Sequence, residues 1–378
     1  MKKKALTLLL STFIAVPAGA VTLYENEETG TKIDFRGSAR IKWETTADKT
    51  TEYDDGEVDG VTKEAKNHPV KNNGSRFGFR AKQSLGNDDL YALGRVEWRF
   101  RGEDSNGVDR PSNHDFDHIY TRELLGGIGH KRYGELTYGN QTVITDDVKQ
   151  TDLANTLSLS DGLLASGARR SIQYKYENKD QGIKAGVFYG GRSPRGNNGL
   201  TEKRKDIVGA GAIKTFEVNG DDELNIGLGI SRERFRQEEP VDYTRTAYAL
   251  GTAYTFDDTT VGLDIERRIR KNEDEAGYKR TNDEIRTVVY HKLTNDWRAY
   301  GMYAYKTEKR DEVSSADRKE KQHQFMLGTE YFLIPKSEPF HVKTFAEVQT
   351  TRSKEYRNGE LHEKNRNYTT VVGLRAYW

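Results

Sequence analysis

Between residues 32 and 44 the chain changes character at every position. Ile33, Phe35, Gly37, Ala39, Ile41 and Trp43 alternate with Lys32, Asp34, Arg36, Ser38, Arg40, Lys42 and Glu44. A period of two places the apolar residues on one face of a β-strand and the charged ones on the other. No helical period fits, and the polar face carries more charge than the solvent side of a soluble sheet requires. The rhythm returns at 75–85, where Phe77, Phe79 and Ala81 oppose Arg76, Arg80 and Lys82. It returns again at 90–101, where Val96, Trp98 and Phe100 oppose Arg95, Glu97, Arg99 and Arg101.

Composition limits what such strands can build. Only 34% of the 378 residues are hydrophobic and 31% are charged, with a mean hydropathy of −0.88. A solid core for a chain of this length would be starved of apolar side chains. Disorder is the other fate of polar chains, but 21 Tyr, 14 Phe and 36 Gly are the wrong signature for it. A transmembrane barrel resolves the shortage: its interior is water, and only alternate residues must meet lipid. There is no cysteine, and 60 basic residues against 59 acidic ones give no reason to expect a nucleic-acid partner.

The first twenty residues read as a separate object. Lys2, Lys3 and Lys4 precede a short apolar run, 5–16, and Ala18-Gly19-Ala20 supplies a small-residue cleavage site. That is the plan of a secretory signal peptide, too short to cross a membrane. Residues 21–378 are then one exported domain.

Beyond the first three, further strands are predicted near 118–129, 133–141, 170–177, 182–191, 206–217, 223–236, 243–256, 260–271, 283–293, 297–309, 321–334, 340–351 and 367–378, sixteen in all. Short turns such as 219–222, 257–258 and 294–296 alternate with long polar connections such as 191–205, 273–281 and 308–320; the charged stretch 45–73 is taken as another. Short turns at one rim and long loops at the other describe an outer-membrane barrel. Closure matters because lipid offers no partner to an open sheet edge. About sixteen strands leave an aqueous channel, whereas about eight are filled by side chains. The last strand alternates Tyr368, Thr370, Val372, Leu374, Ala376 and Trp378 to the end of the chain, and the terminal aromatic suits an interfacial girdle.

Several stretches then resemble the Gram-negative general porins. They are Ser75-Arg76-Phe77-Gly78-Phe79-Arg80 followed by Leu85-Gly86-Asn87, the segments 120–129 and 133–141, Ala168-Arg169-Arg170-Ser171-Ile172-Gln173-Tyr174, and the C-terminal strand. The chain most resembles the porins and porin-like proteins of marine gammaproteobacteria. The resemblance implies an all-β, sixteen-stranded antiparallel barrel in the outer membrane, a homotrimer, and passive diffusion of small hydrophilic solutes and ions. It also implies that the third external loop, 142–167, folds inward and narrows the bore. By the same resemblance, Arg76 matches the motif arginine of strand two, Arg122 that of strand four, and Arg169 or Arg170 that of strand six. Asp152 sits where the family places a loop acid, and Asp146 and Asp147 belong to the same loop. The family's Pro-Glu-Phe-Gly-Gly stretch is replaced by Ala154-Asn155-Thr156-Leu157-Ser158-Leu159, so the usual loop glutamate is missing. Ser38 stands where a lumenal lysine is common.

Arg36, Arg40, Lys42, Arg80 and Arg95 share the lumenal phase and join that basic wall. Opposed rows of fixed charge across a narrow aqueous gap create a transverse field that favours small polar solutes. Diffusion needs no covalent step, so no catalytic residue, cofactor or metal is expected. Anion or cation preference stays open, because basic wall and acidic loop oppose each other. Glu123 breaks the phase and points toward lipid, which leaves a subunit contact or a β-bulge to explain it. The eight histidines have no zinc-site spacing. His114-Asp115-Phe116-Asp117-His118 has the composition of a metal loop but reads as a solvated one, and 54–60 imitates a calcium loop without its length or terminal glutamate. Lipid and lipopolysaccharide are the expected surroundings. A solute-specific channel and a barrel enzyme are the alternatives.

Overall fold

The computed structural model describes residues 20–86, 89–100, 119–193, 203–236, 242–272, 278–311 and 317–378. The predicted leader falls, apart from Ala20, outside the described residues, as do His114 and His118. Eighteen strand segments form one antiparallel sheet. They are β1 (Val21–Asn26), β2 (Thr31–Asp54), β3 (Glu57–Asn72), β4 (Arg76–Ser84), β5 (Leu90–Phe100), β6 (Ile119–His130), β7 (Gly134–Thr142), β8 (Gly167–Asn178) and β9 (Ile183–Gly190). The remainder are β10 (Lys203–Val218), β11 (Asp222–Arg236), β12 (Tyr243–Phe256), β13 (Thr259–Asn272), β14 (Lys279–Lys292), β15 (Trp297–Asp311), β16 (Arg318–Ile334), β17 (His341–Arg357) and β18 (Glu360–Tyr377).

Apart from β3 and β4, which do not pair with each other, each strand pairs with its chain neighbours, and β18 returns to pair with β2, which closes the sheet into a barrel of 16 staves. Two staves are composite. β3 and β4 are one stave interrupted at 73–75, both paired to β2. β18 and β1 lie in line along the other edge of β2: Tyr377 faces Ser38, Trp378 exchanges backbone hydrogen bonds with Gly37, and Val21 faces Phe35.

The barrel is inverted in polarity, as its composition demands. Leu327 is 67% exposed and Tyr138 63%, while Glu123, Glu266, Glu284 and Glu347 are each 1% exposed. Outward side chains meet hydrocarbon, so apolar residues cost nothing there; inward ones meet water and one another.

Two expected loops are strands. Residues 45–72 form the outer half of β2 and the whole of β3, joined at Asp55-Gly56, and 352–366 the outer parts of β17 and β18, joined at Asn358-Gly359. The φ values of 46° and 80°, then 50° and 90°, are those of two-residue hairpin turns, for which Asp-Gly and Asn-Gly are the strongest local signal. Beyond the membrane both faces of a strand meet water, so apolar alternation fades while pairing continues. The stretch that imitated a calcium loop is the tip of the first hairpin. Among the described residues no cluster of three or more potential metal ligands occurs.

Candidate functional site

The lumen is built by the inward phase of β2, β4, β5 and β6. Glu97 lies at its centre, 4% exposed. Arg122 reaches it at 2.8 Å, Arg36 at 3.3 Å, Arg95 at 3.5 Å and Arg76 at 3.6 Å. Arg95 also holds Glu123 at 2.7 Å, and Arg122 lies 3.5 Å from it. Four guanidinium groups therefore share two carboxylates.

Glu123 reaches this cluster through a β-bulge. Glu97 faces Glu123, but the next residue, Trp98, faces Thr121, so Arg122 is the extra residue of β6. The insertion lets two consecutive side chains, Arg122 and Glu123, both enter the lumen. Of the two explanations open at the sequence level, the bulge is the correct one, and the Thr142 hydroxyl donates to Glu123 at 2.6 Å.

Further along the wall the positive charge is less compensated. Arg40 lies directly across from Arg375, and Arg76 across from Arg99. Like charges in direct cross-strand register repel. Arg40 donates to Ser38 Oγ at 2.9 Å and leans over the Tyr377 ring, 5.5 Å from its centroid. Arg375 donates to the Asn155 carbonyl. Lys42 pairs with Glu44 at 2.5 Å. Arg80 is exposed and makes no ion pair among the described residues. Arg169 and Arg170 together face the single residue Asn140 at a second bulge, where Arg170 has φ 48°. Arg169 is half-buried and Arg170 exposed, and among the described residues no ion pair joins either to Glu97.

Segment 142–167 lies along the opposite inner wall. A short 3-10 helix (Ile144–Val148) opens it. Val143, Ile144, Val148 and Leu164 pack with Phe188, Ile207, Ile213, Ala247 and Ala249. Farther on, Leu153, Ala154, Leu157 and Leu159 pack near Val288, Tyr300 and Met326. This apolar filling inside the barrel was not apparent from the strand alternation. The wall makes room with glycine: a Cβ on Gly251 would lie 2.2 Å from the Val148 carbonyl oxygen, and one on Gly227 2.7 Å from it.

Wall carboxylates hold the segment by its backbone. Gln150 N–H donates to Asp264 Oδ1 at 2.8 Å, and Thr151 N–H to Asp264 Oδ2 at 3.1 Å. Glu347 accepts from the N–H groups of Asn155, Thr156 and Leu157 at 2.6, 3.0 and 2.9 Å. Asp161 N–H donates to Glu284 and Leu164 N–H to Glu266. Arg286, fully buried, binds Asp264 at 2.8 Å and Glu266 at 2.9 Å, contacts Glu284, and donates to Thr151 Oγ1. The departure from the family's loop sequence now has a physical account. Asn155 Nδ2 donates to Glu330 at 2.8 Å and to Tyr300 Oη at 2.9 Å, where a glutamate would meet carboxylates.

The loop acids were expected to face the arginines; most meet lysines. Asp147 pairs with Lys184 at 2.8 Å and Lys175 at 3.2 Å, and Asp161 with Lys306 at 2.5 Å. Asp146 pairs with Lys149 at 3.5 Å and lies within electrostatic range of Arg122. Asp152 is exposed and unpaired among the described residues. Burial raises the Asp146 carboxyl above the ordinary aspartate range, against the pull of Lys149. Asp147 is likewise half-buried, but Lys175 and Lys184 hold it below that range. Glu97 and the holding carboxylates Asp264, Glu266, Glu284, Glu330 and Glu347 were not singled out from sequence as site residues. Their lumenal phase was visible, but their partners were not.

Comparison with known proteins agrees with this architecture. The family model described as Gram-negative porin matches residues 5–355. A major outer membrane protein of Pasteurella multocida (strain Pm70) is 26% identical over the whole of both chains. A second, from Pasteurella multocida, is 29% identical over 46% of this chain and 48% of its own. Among solved structures, OmpT, an outer membrane protein of Vibrio cholerae, superposes with a TM-score of 0.64 at 19% identity, covering 94% of this chain and 99% of that one. An anion-selective porin from Comamonas acidovorans gives 0.61 at 14% identity, covering 92% and 100%. With alternation, closure, inverted polarity and a charged lumen already in place, the chain belongs to the Gram-negative porin family, an outer-membrane β-barrel whose lumen is a channel for passive diffusion of small hydrophilic solutes and ions.

Proposed function

We propose that the gap between the Glu97 arginine cluster and segment 142–167 is the constriction of this channel, and that it favours anions. The observation that carries this reading is the unequal neutralisation of the two sides. Arg36, Arg76, Arg95 and Arg122 share only Glu97 and Glu123, with Arg40, Arg99 and Arg375 beside them. Asp146, Asp147 and Asp161 each have a lysine. Fixed charge in a low-dielectric neck acts over a longer range than on an open surface. The test is the reversal potential of the refolded protein in planar bilayers across a potassium chloride gradient. Anion preference is expected for the native pore, and Arg76→Gln with Arg122→Gln should move the potential toward cations. An unchanged potential removes both residues from the constriction.

Acidification supplies a second test. Asp146, raised, loses its charge before Asp147, lowered, as the pH falls. Losing a negative charge strengthens anion preference, so selectivity should rise in an early step that Asp146→Asn abolishes. A native-like pH profile in that variant would count against Asp146 lining the gap.

The same reading covers processing and assembly. The charged start, the short apolar run and the small residues at 18–20 support cleavage after Ala20. N-terminal sequencing of membrane-extracted protein should begin at Val21. Phe35, Phe77, Phe79, Trp98 and Phe100 form a ring cluster with centroids 5.2–6.3 Å apart on the outward face of β2, β4 and β5. We assign that face to the subunit contact of a homotrimer; one of the similar solved proteins, OmpT of Vibrio cholerae, is described in a trimer form. Mass measurement in detergent distinguishes trimer from monomer. Passage by diffusion requires no bond to break, and hydrolysis of peptide or ester substrates by pure protein would replace this reading with an enzyme.

A further inference from the structure

At the rim of the short turns the inner wall gathers rings and cations on five neighbouring staves, β15 to β18 and β2. Phe332, His341 and Tyr377 lie near the ends of β16, β17 and β18. The centres of the Phe332 and His341 rings are 6.1 Å apart, and His341 stacks on Tyr377 at 4.9 Å. Cations lie over this ledge. Arg298 sits 4.4 Å from the centre of the Phe332 ring and Lys343 5.6 Å from it. Arg40 sits 5.5 Å from that of Tyr377, and Arg375 5.3 Å from that of Phe345, the next inward ring on β17.

Register sets the charges in a row. Lys343 faces Arg375 and Arg375 faces Arg40, so at about 4.8 Å between strands three cations stand within roughly 10 Å. Lys336, in the turn between β16 and β17, lies within electrostatic range of Arg298 and Lys343. Glu330, the inward carboxylate of β16 at this level, is already taken. It accepts from Lys343 at 2.6 Å, from Asn155 Nδ2 at 2.8 Å and from Tyr290 Oη at 2.8 Å. Arg40, Arg298, Lys336 and Arg375 have no ion pair among the described residues. By contrast Lys175, Lys184 and Lys292, toward the same rim, each reach an aspartate. Arg298 Nη1 and Arg375 Nε are buried without a hydrogen-bond partner among the described residues. Unsatisfied buried donors cost free energy, and like charges in register repel. An anion seated on the ledge relieves both.

We propose that this ledge is a binding site for small aromatic carboxylates entering the lumen. Charge alone would accept any anion; the rings narrow the class. Phe332 covers one side of the Arg298 guanidinium, which is half-buried and turns its other side to the lumen. A flat ring extends that stack, because a guanidinium plane is weakly hydrated and attracts a π-face on either side. The carboxylate of such a ligand then points toward Lys336, Lys343 and Arg375. A saturated ring of equal charge keeps the ion pairing and loses the stack. Since Arg40 and Arg375 join the ledge to the basic wall, a bound acid obstructs the ion path. The proposal rests on the lumen as the channel and holds whichever ions the constriction prefers.

The test uses the refolded full-length protein in planar bilayers, with benzoate added to the compartment facing the short turns. Cyclohexanecarboxylate matches its charge and benzamide its ring. Benzoate should reduce single-channel current at a concentration about fivefold lower than cyclohexanecarboxylate, the contribution of one cation–π contact, and benzamide should not reduce it. Arg298→Lys keeps the charge and removes the plane, so the two acids should then act alike. Arg298→Gln should weaken both. Arg267→Gln, outward and paired with Asp283, should change neither. Folding is checked by heat-resistant migration on gels, and if neither Arg298 variant folds, the native ranking of the three probes decides. Equal action of the two acids on the native pore, block by benzamide, a benzoate preference that survives Arg298→Lys, or stronger block from the side of the long loops each overturns the proposal. Reversal potential in potassium chloride, read in the same bilayers, tests the anion reading separately. A cation-preferring pore that still ranks the probes in this order refutes that reading and keeps the site.

Discussion

Gly251→Val should open the channel: single-channel conductance rises, its fluctuations grow, and the protein unfolds at a lower temperature. The side chain would need space that the loop backbone occupies, since even a Cβ falls 2.2 Å from the Val148 carbonyl oxygen and 2.7 Å from Asp264 Oδ1. Neither neighbour is the free end of a flexible side chain. Val148 is buried in the inner apolar cluster, and Asp264 is fixed by Gln150, Thr151 and Arg286. Overpacking of this kind costs about 1–3 kcal/mol. The strand cannot retreat, because β12 is paired along its length on both sides, so the loop is what moves. Thr252→Val, on the outward face of the same strand, is the control and should leave conductance alone. If Gly251→Val conducts like wild type, segment 142–167 does not set the bore.

Arg286→Met should cause the largest loss of stability. Arg286 is fully buried and holds Asp264, Glu266 and Glu284 together. Removing the guanidinium leaves three buried carboxylates around a neutral side chain. Breaking a buried pair by deleting one partner costs about 3–5 kcal/mol, chiefly because the remaining charge is stranded. Those carboxylates also accept the loop's backbone N–H groups, so the loop should loosen with them. Denaturant unfolding and conductance noise measure the two effects. Adding Asp264→Asn, Glu266→Gln and Glu284→Gln to Arg286→Met should recover much of the loss, since amide oxygens still accept those hydrogen bonds. If the single variant is as stable as wild type, the cluster does not anchor the loop.

Legibility differed between the strands and the site for a physical reason. Strands inside the bilayer were readable because lipid on one side and water on the other force alternation on each segment by itself. Where both faces are wet, as at 45–54 and 57–72, that signal vanished and only Asp55-Gly56 marked the hairpin. The alternation gives the phase of Arg76 and Arg122 but not their common partner, Glu97, which lies on a different strand from either.

What the sequence determined by itself was the class: a chain too polar for a solid core, alternating in period two to its last residue, must put its charges around water and its apolar residues against lipid. Tertiary structure alone decided which charges meet. Gln150 finds Asp264 across 114 positions and Asn155 finds Glu347 across 192, and one extra residue at Arg122 carries Glu123 from lipid to lumen. Alternation is a local response to solvent, whereas pairing depends on register, bulges and the wall on which the loop settles. Those are set by the closed barrel as a whole.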